Sequence, residues 1–392
     1  MIKKHNLVIV SNGITPYGIH FLQRVADELS SYKLRTIYSY EFSMGHWKIA
    51  LPDSINAIVL GKGEEAIEQR GFKALKNNWA RGKALVREIK ASNPSVVMIL
   101  GYGNISHFIV LEWCKFEGIP CLMWGDSNIK GDNNGGIKAW VKKIIVSRVV
   151  SRCSALLPCG NLGAQYFQRY GARFEQIFFV PNEPDYSLIE QIPQSFLSQI
   201  AAEFGLSANR RRLIYSGRLV NIKRVDLLID AFVSVADQRN DWDLLVAGGG
   251  PLETELKCRI PERFKERIIW TGFVSSSEKM AALYNLSDVL VLPSDYEPWA
   301  LVINEAACAG LAIVSSDVVG AAAELVRDGI NGRLFKPNDL MSLIDALLDV
   351  TEMSNLHRYK SSSLGILHNW RQLTDPVEGF RRALEYSLNT NI

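Results

Sequence analysis

Two cations and two carboxylates in the second half of the chain have the spacing to act on a phosphorylated ligand. Arg218 follows the apolar run Leu213–Ser216 and Gly217, and Lys223 lies five residues further on. A strand, a glycine and then basic residues before a helix is how a doubly wound domain grips phosphate, at the carboxyl end of a strand. Arg presents a planar fork to phosphate oxygens and Lys a mobile point charge. On their own the two could equally stand in an ordinary surface loop. Glu297 and Glu305, with seven residues between them, follow the apolar run Val289–Leu292. Glu297 falls in a loop before a helix and Glu305 about one turn inside it. A carboxylate so placed faces either solvent or a cleft. In a cleft it can accept both hydroxyls of a ribose, while the N-terminal amides of the same helix meet a phosphate. Between the two pairs, Ala247-Gly248-Gly249-Gly250-Pro251 makes a tight turn that lets backbone approach a ligand, although a plain turn needs no ligand.

These residues need a frame, and the sequence supplies one. Short apolar runs alternate with longer amphipathic stretches. The runs Leu7–Ser11, Leu34–Tyr38, Asn56–Leu60, Val96–Leu100, Cys121–Trp124, Ala155–Pro158 and Ile177–Val180 read as strands, with helices over Phe21–Leu29, Ala80–Ile89 and Ile137–Val150. Pro181, Pro184 and Pro193 then interrupt the alternation. It restarts at Leu213–Ser216 and continues through Leu244–Ala247, Ile268–Trp270, Val289–Leu292, Ala312–Ser315 and Arg333–Phe335, ending with a helix over about Pro376–Leu388. Strand and helix alternating at this spacing predict an α/β protein of two doubly wound, Rossmann-like domains in tandem.

Composition narrows the function classes. The 392 residues are 47% hydrophobic and 22% charged, which is globular and excludes disorder, collagen and coiled coil. No apolar run approaches the ~18–20 residues of a membrane span. Leu7–Val10 is too short for the core of a signal peptide. The six cysteines show neither CxxC pairing nor a histidine at metal spacing, so inert buried thiols in a reducing cytoplasm are expected. Residues 1–200 hold 23 Lys/Arg and 16 Asp/Glu, whereas the rest hold 21 and 25, so the basic charge lies in the first half. That half either attracts an anionic substrate or membrane surface, or simply carries solvated helix faces. The cations lack interleaved stacking aromatics, so no nucleic-acid partner is expected.

Taken together, the motifs resemble glycosyltransferase family 4. The run 216–232, beginning Ser-Gly-Arg-Leu and continuing Lys-Arg-Val-Asp-Leu-Leu-Ile-Asp-Ala-Phe, looks like the opening of that family's second domain. The Gly-Gly-Gly-Pro turn, Thr-Gly-Phe-Val at 271–274, Leu-Tyr-Asn-Leu-Ser-Asp-Val-Leu-Val-Leu-Pro-Ser at 283–294, the Glu297/Glu305 pair and Asp-Gly-Ile-Asn-Gly at 328–332 follow in the family's order. Residues 1–183 match only in outline. The resemblance implies a GT-B fold: two Rossmann-like domains facing across a cleft, with a C-terminal helix returning to the first. Residues 1–183 would bind acceptor, 184–210 would be a linker, 211–365 would bind donor, and 366–392 would carry the returning helix. It also implies a retaining, metal-independent transfer of a sugar from a UDP- or GDP-linked donor to a glycan or lipid-linked acceptor. The enzyme would need no cofactor and would be cytoplasmic, with peripheral contact at an anionic membrane. The alternative is a non-catalytic subunit that binds a nucleotide sugar.

By the same resemblance, Arg218 and Lys223 bind the donor diphosphate and stabilise it as it leaves. Glu305 holds the ribose and Glu297 contacts the donor hexose. Gly217, Gly249 and the main chain of Val274, Trp299, Ala300 and Leu301 complete the donor site. Where the family usually reads Glu-Gly-Phe-Gly, this chain reads Glu297-Pro298-Trp299-Ala300, so Trp299 is either a packing residue or a wall of the sugar pocket. In the first half, Asn12–Gly18 looks like the family's glycine-containing loop without its Gly-Gly pair, and Gly18 is the position expected to approach the donor. His20 is either an acceptor contact or an ordinary helix residue. Asp126 stands where many relatives carry a histidine; it could accept a hydroxyl, help deprotonate the acceptor, or cap the next segment. Ile137, Trp140, Val141, Ile144, Ile145 and Val149 recur at helical spacing among Lys138, Lys142, Lys143, Arg148 and Arg152. They form either a core-facing crossover helix or a contact with anionic lipid.

Overall fold

A computed structural model describes residues 4–42, 49–65, 72–132 and 135–390. The chain divides into two compact units, one of residues 1–183 with 374–392 and the other of residues 184–373.

The first unit holds six parallel strands, β1 (His5–Ser11), β2 (Tyr32–Tyr38), β3 (Ala57–Val59), β4 (Val96–Leu100), β5 (Cys121–Gly125) and β6 (Ala155–Pro158), in the order β3-β2-β1-β4-β5-β6. This is the doubly wound order, with its switch point between β1 and β4. The helices are α1 (Pro16–Glu28), α2 (Phe72–Ala91), α3 (Ile105–Glu117), α4 (Gly136–Arg152) and α5 (Asn161–Arg169). Both faces of the sheet are covered, so the centre of β1, Leu7–Val10, is an unbroken apolar run. Leu7 and Ile9 pack with Leu22 and Val25 of α1, while Val8 and Val10 pack with Leu85 of α2 and Val146 of α4.

The second unit opens with α6 (Ser187–Glu190) and α7 (Gln194–Glu203). Its strands are β7 (Arg211–Ser216), β8 (Trp242–Ala247), β9 (Ile268–Gly272), β10 (Val289–Leu292), β11 (Ala312–Ser316) and β12 (Gly332–Phe335). They lie parallel in the order β12-β11-β10-β7-β8-β9, the same topology read from the opposite edge. Its other helices are α8 (Val225–Ala236), α9 (Glu253–Cys258), α10 (Ser277–Asn285), α11 (Leu301–Cys308), α12 (Gly320–Leu325), α13 (Leu340–Val350) and α14 (Met353–Leu373). The last helix, α15 (Pro376–Asn389), belongs to the first unit, where Val377, Phe380 and Leu384 join the β1–α1 core layer.

Several expectations need correcting. Residues 184–210 are not a bare linker, because α6 and α7 lie in the second unit and bury Ile189 and Ile200. Pro193 does not end structure there; it precedes the first turn of α7, where a missing N–H is harmless. The break placed at 365/366 falls inside α14, which runs on to Leu373; the chain turns at Asp375, whose carboxylate caps α15 just before Pro376. Ile177–Val180 is not a seventh strand. It runs beside β6 through Phe178 N–H to the Leu156 carbonyl (3.0 Å) and Val180 N–H to the Pro158 carbonyl (3.0 Å), and Pro158 has no N–H to return. Five cysteines are buried, but Cys258 is exposed.

The segment 137–152 is a helix, yet its apolar stripe does not face the core. Only Val146, Val149 and Val150 are buried, whereas Ile137, Trp140, Val141, Ile144 and Ile145 are exposed.

Candidate functional site

In the second unit, the residues singled out from the sequence gather at the carboxyl ends of β7, β8 and β10. The loops after β7 and β8 are sewn together: Gly217 N–H donates to the Ala247 carbonyl (3.0 Å) and Leu219 N–H to the Gly249 carbonyl (3.0 Å). A Cβ on Gly248 would lie 1.8 Å from the Gly217 carbonyl oxygen, and one on Gly250 would lie 2.5 Å from that of Leu219. Glycine is therefore required at 248 and 250 by close backbone approach. Gly249 itself could carry a Cβ at ordinary contact distance from Phe273.

Arg218 is exposed at the tip of the first loop, where its carbonyl accepts from the Tyr215 hydroxyl (2.9 Å). Lys223 ends a 3-10 turn over Asn221–Lys223, and its Nζ forms an ion pair with Glu297 Oε1. The same oxygen accepts from the Ser294 hydroxyl at 2.9 Å, and Glu297 is only 7% exposed. Asp295 N–H donates to the Ile222 carbonyl (2.9 Å), which ties the loop after β10 to the Lys223 turn. The structure thus joins a sequence-predicted cation to a sequence-predicted carboxylate. Ser294, which the spacing argument missed, completes the set.

The loop 297–300 is held on α12. Gly320 N–H donates to the Glu297 carbonyl (3.2 Å) and Ala321 N–H to that of Trp299 (2.8 Å). Gly320 has no room for a Cβ, which would lie 2.0 Å from the Pro298 carbonyl oxygen. Ala300 adopts φ 78° and ψ 81° immediately before α11. A residue with a Cβ is strained there by about 1–2 kcal/mol, the physical reason glycine suits this position. Trp299 is buried and stacks on Trp370, with ring centroids 5.9 Å apart. Its side chain is committed to packing within the second unit.

Glu305 sits in the second turn of α11, half-buried, and its Oε2 accepts from the Tyr284 hydroxyl (2.7 Å). Burial raises the Glu305 carboxyl above its ordinary pKa, and the Tyr284 bond opposes that shift. Tyr284 was not singled out, although its Leu-Tyr-Asn-Leu-Ser-Asp block was. Val274 follows β9 and is half-buried beside the exposed Phe273. Leu301 begins α11.

In the first unit, a pocket of about 230 Å³ opens at the carboxyl ends of β1, β4 and β5, lined by Asn12, Tyr17, Gly18, Trp124 and Asp126 among others. Gly18 and Asp126 therefore meet in one pocket. Gly18 N–H is already taken by the Thr15 hydroxyl that caps α1 (3.1 Å), and a Cβ at Gly18 would lie 2.8 Å from that oxygen. The mass of protein around the strand ends pushes the Asp126 carboxyl pKa upward, and a hydrogen bond from its own backbone opposes that shift. His20 does not line the pocket. Its Nε2 lies 3.9 Å from Glu183 Oε1, next to the Arg24–Glu183 ion pair.

Comparison with known proteins finds similarity in both sequence and fold. Residues 198–362 match the family model "Glycosyl transferases group 1". The chain is 29% identical over 160 residues to Alpha-D-kanosaminyltransferase of Streptomyces kanamyceticus, covering 40% of this chain and 41% of that one. It is 26% identical over 162 residues to N-acetyl-alpha-D-glucosaminyl L-malate synthase of Bacillus anthracis, covering 41% and 42%. The matched stretch thus spans about two fifths of the length of these relatives. In fold, the chain superposes on Anabaena HepE in complex with UDP and glucose with a TM-score of 0.70 at 16% identity, covering 97% of this chain and 98% of that one.

Proposed function

Since the second unit is a group 1 glycosyltransferase domain on a GT-B fold, we propose that this protein is a retaining glycosyltransferase. It moves a sugar from a UDP- or GDP-linked donor to a hydroxyl of a glycan or lipid-linked acceptor in glycan or glycolipid assembly. The bond from the sugar's anomeric carbon to the diphosphate oxygen breaks, the bond to the acceptor oxygen forms, and the acceptor's proton leaves with the diphosphate. Arg218 and Lys223 supply positive charge where charge develops on the leaving diphosphate, the role a divalent metal fills in other transferases, so no metal or cofactor is required. Glu305 receives the ribose hydroxyls and Glu297 meets the donor hexose. In the first unit, Gly18 is the position that approaches the donor, and Asp126 in the same pocket is the hydrogen-bond acceptor for the acceptor's hydroxyl. The protein works in the cytoplasm, in peripheral contact with an anionic membrane.

The observation that carries this reading is the Lys223–Glu297–Ser294 cluster beside the glycine-bound loops that present Arg218. A thermal-shift screen of UDP- and GDP-sugars tests it. A true donor at about 100 times its dissociation constant adds about 2.7 kcal/mol to stability. No stabilisation by any nucleotide sugar would reject the donor site.

The raised Glu305 pKa gives a pH signature. A carboxyl raised in the folded protein contributes stability that is full below its ordinary pKa of 4.5 and lost as pH rises through the folded value. The ribose hydroxyls donate to the ionised form, so nucleotide affinity should fall as pH drops through the same window. Glu305→Gln should lose about tenfold or more in affinity, as befits a hydrogen bond to a charged group. Calorimetric titration of nucleoside diphosphate across mildly acidic pH compares the two slopes. Equal slopes in wild type and variant would remove Glu305 from the ribose site.

A further inference from the structure

Helix α4 carries an apolar face that none of the described residues of its own unit covers. It is anchored to α3 near its carboxyl end: Arg148 Nε donates to Glu112 Oε1 (2.9 Å), Arg152 Nε reaches the same oxygen at 3.3 Å, and Arg148 lies over the Phe108 ring. Since α3 starts at Ile105, three residues before Phe108, the turns of α4 upstream of Ile145 run past its end by about 12 Å.

That overhang is two-sided. Inward, Lys142 pairs with the buried Asp132 (2.7 Å) and lies over the Tyr166 ring. Outward, Ile137 is 82% exposed and Trp140 65%, with Val141, Ile144 and Ile145 beside them. At 3.6 residues per turn these five occupy an arc of about 140°, opposite the buried Val146, Val149 and Val150. Exposed Lys138 and Lys143 flank the arc, one on each side.

We infer that the first three turns of α4 dock on an anionic lipid surface, with Ile137, Trp140 and Ile144 entering the headgroup–acyl boundary and Lys138 and Lys143 contacting phosphates. Charge identifies the occupant. Residues 136–152 contain five Lys/Arg and no Asp/Glu, and the first unit as a whole holds 25 Lys/Arg against 17 Asp/Glu. A second copy presenting the same face would set cation against cation, whereas anionic headgroups complement it. A tryptophan among aliphatics between flanking lysines is the composition of an interfacial helix. Among the described residues no helix is long and apolar enough to cross a membrane, so the contact lies on the surface. The overhang is at the amino end of α4, which follows β5, and so at the strand edge that also opens the Asp126 pocket. The docking itself is independent of the transferase reading. That it brings a lipid-borne acceptor toward Asp126 rests on that reading.

The test is vesicle co-sedimentation of the full chain, with phosphatidylcholine alone and with added phosphatidylglycerol. Binding should require the anionic lipid. It should fall at least tenfold in Lys138→Glu/Lys143→Glu and in Trp140→Ala/Ile144→Ser. The control Lys33→Glu/Lys90→Glu, an equal charge change at exposed residues on the opposite strand edge, should bind as wild type. No binding to anionic vesicles, binding indifferent to the α4 variants, or an equal loss in the control would each overturn the docking. So would a concentration-dependent dimer abolished by Ile144→Ser, which would assign the face to a second copy. None of these readouts involves sugar transfer, so loss of the docking and loss of the transferase reading are told apart.

Discussion

Arg218→Ala should cut turnover by about 10²–10³ while leaving the melting temperature unchanged. Removing one preorganised group aimed at developing charge has an effect of this order. The side chain is exposed, and truncation opens no core. Nucleotide affinity should fall by less than turnover, because charge on the leaving diphosphate peaks in the transition state. Lys223→Ala should lose turnover similarly but also lose stability, since it takes the cation from the buried Glu297. Breaking a buried ion pair from one side costs about 3–5 kcal/mol. The measurement is steady-state turnover with a saturating donor, paired with a melting curve for each variant. An Arg218→Ala enzyme that turns over at the wild-type rate would remove the diphosphate assignment.

Deleting residues 376–392 should unfold the first unit. Val377, Phe380, Ala383 and Leu384 are at most 2% exposed and cover the Leu7/Ile9 face of the sheet. Truncating a single buried Phe or Leu costs about 2–5 kcal/mol, so losing four buried apolar residues exceeds most of the about 5–15 kcal/mol that holds a domain together. Arg24 Nη2 bonds Asp375 Oδ2 at 2.7 Å, which fixes the residue that caps α15 and is itself outside the deletion. The helix also lies very close to the chain beneath it, for a Cβ on Gly379 would be 1.9 Å from the Phe179 carbonyl oxygen. Circular dichroism melts of the truncated chain and of the milder Phe380→Ala check this. Phe380→Ala should lower Tm measurably, and the truncation should abolish the transition of the first unit. Melting and activity unchanged by the truncation would contradict the placement of α15.

The strands were legible because a parallel sheet covered on both faces needs continuous β-branched and aliphatic runs, and Val96–Leu100, Val289–Leu292 and Ala312–Ser315 are such runs. What stayed hidden depends on partners distant in the chain. Helical periodicity in 137–152 locates an apolar stripe but cannot say which way it faces, and the shorter α3 decides that by leaving the overhang uncovered. The packing partner of Trp299 is Trp370, 71 residues later. Ser294 and Tyr284 lie within motifs that were read, but hydroxyls show no pattern that would tie them to Glu297 and Glu305. The strain at Ala300 could be anticipated only from the glycine usual at that position, and the left-handed φ supplies the cause. The linker failed because prolines were read as interruptions, when Pro193 stands at a helix start; the helix at Pro376 was legible, but the 365/366 boundary cut α14, which runs unbroken to Leu373.

Incubating the full chain with UDP- and GDP-sugars in the absence of acceptor, and following the anomeric protons by NMR, tests the central claim most directly. The account predicts slow release of nucleoside diphosphate from one donor, a first-formed sugar that keeps the donor's anomeric configuration, and loss of both in Arg218→Ala. A chain that releases no sugar from any donor, or an equal release by Arg218→Ala, would contradict it.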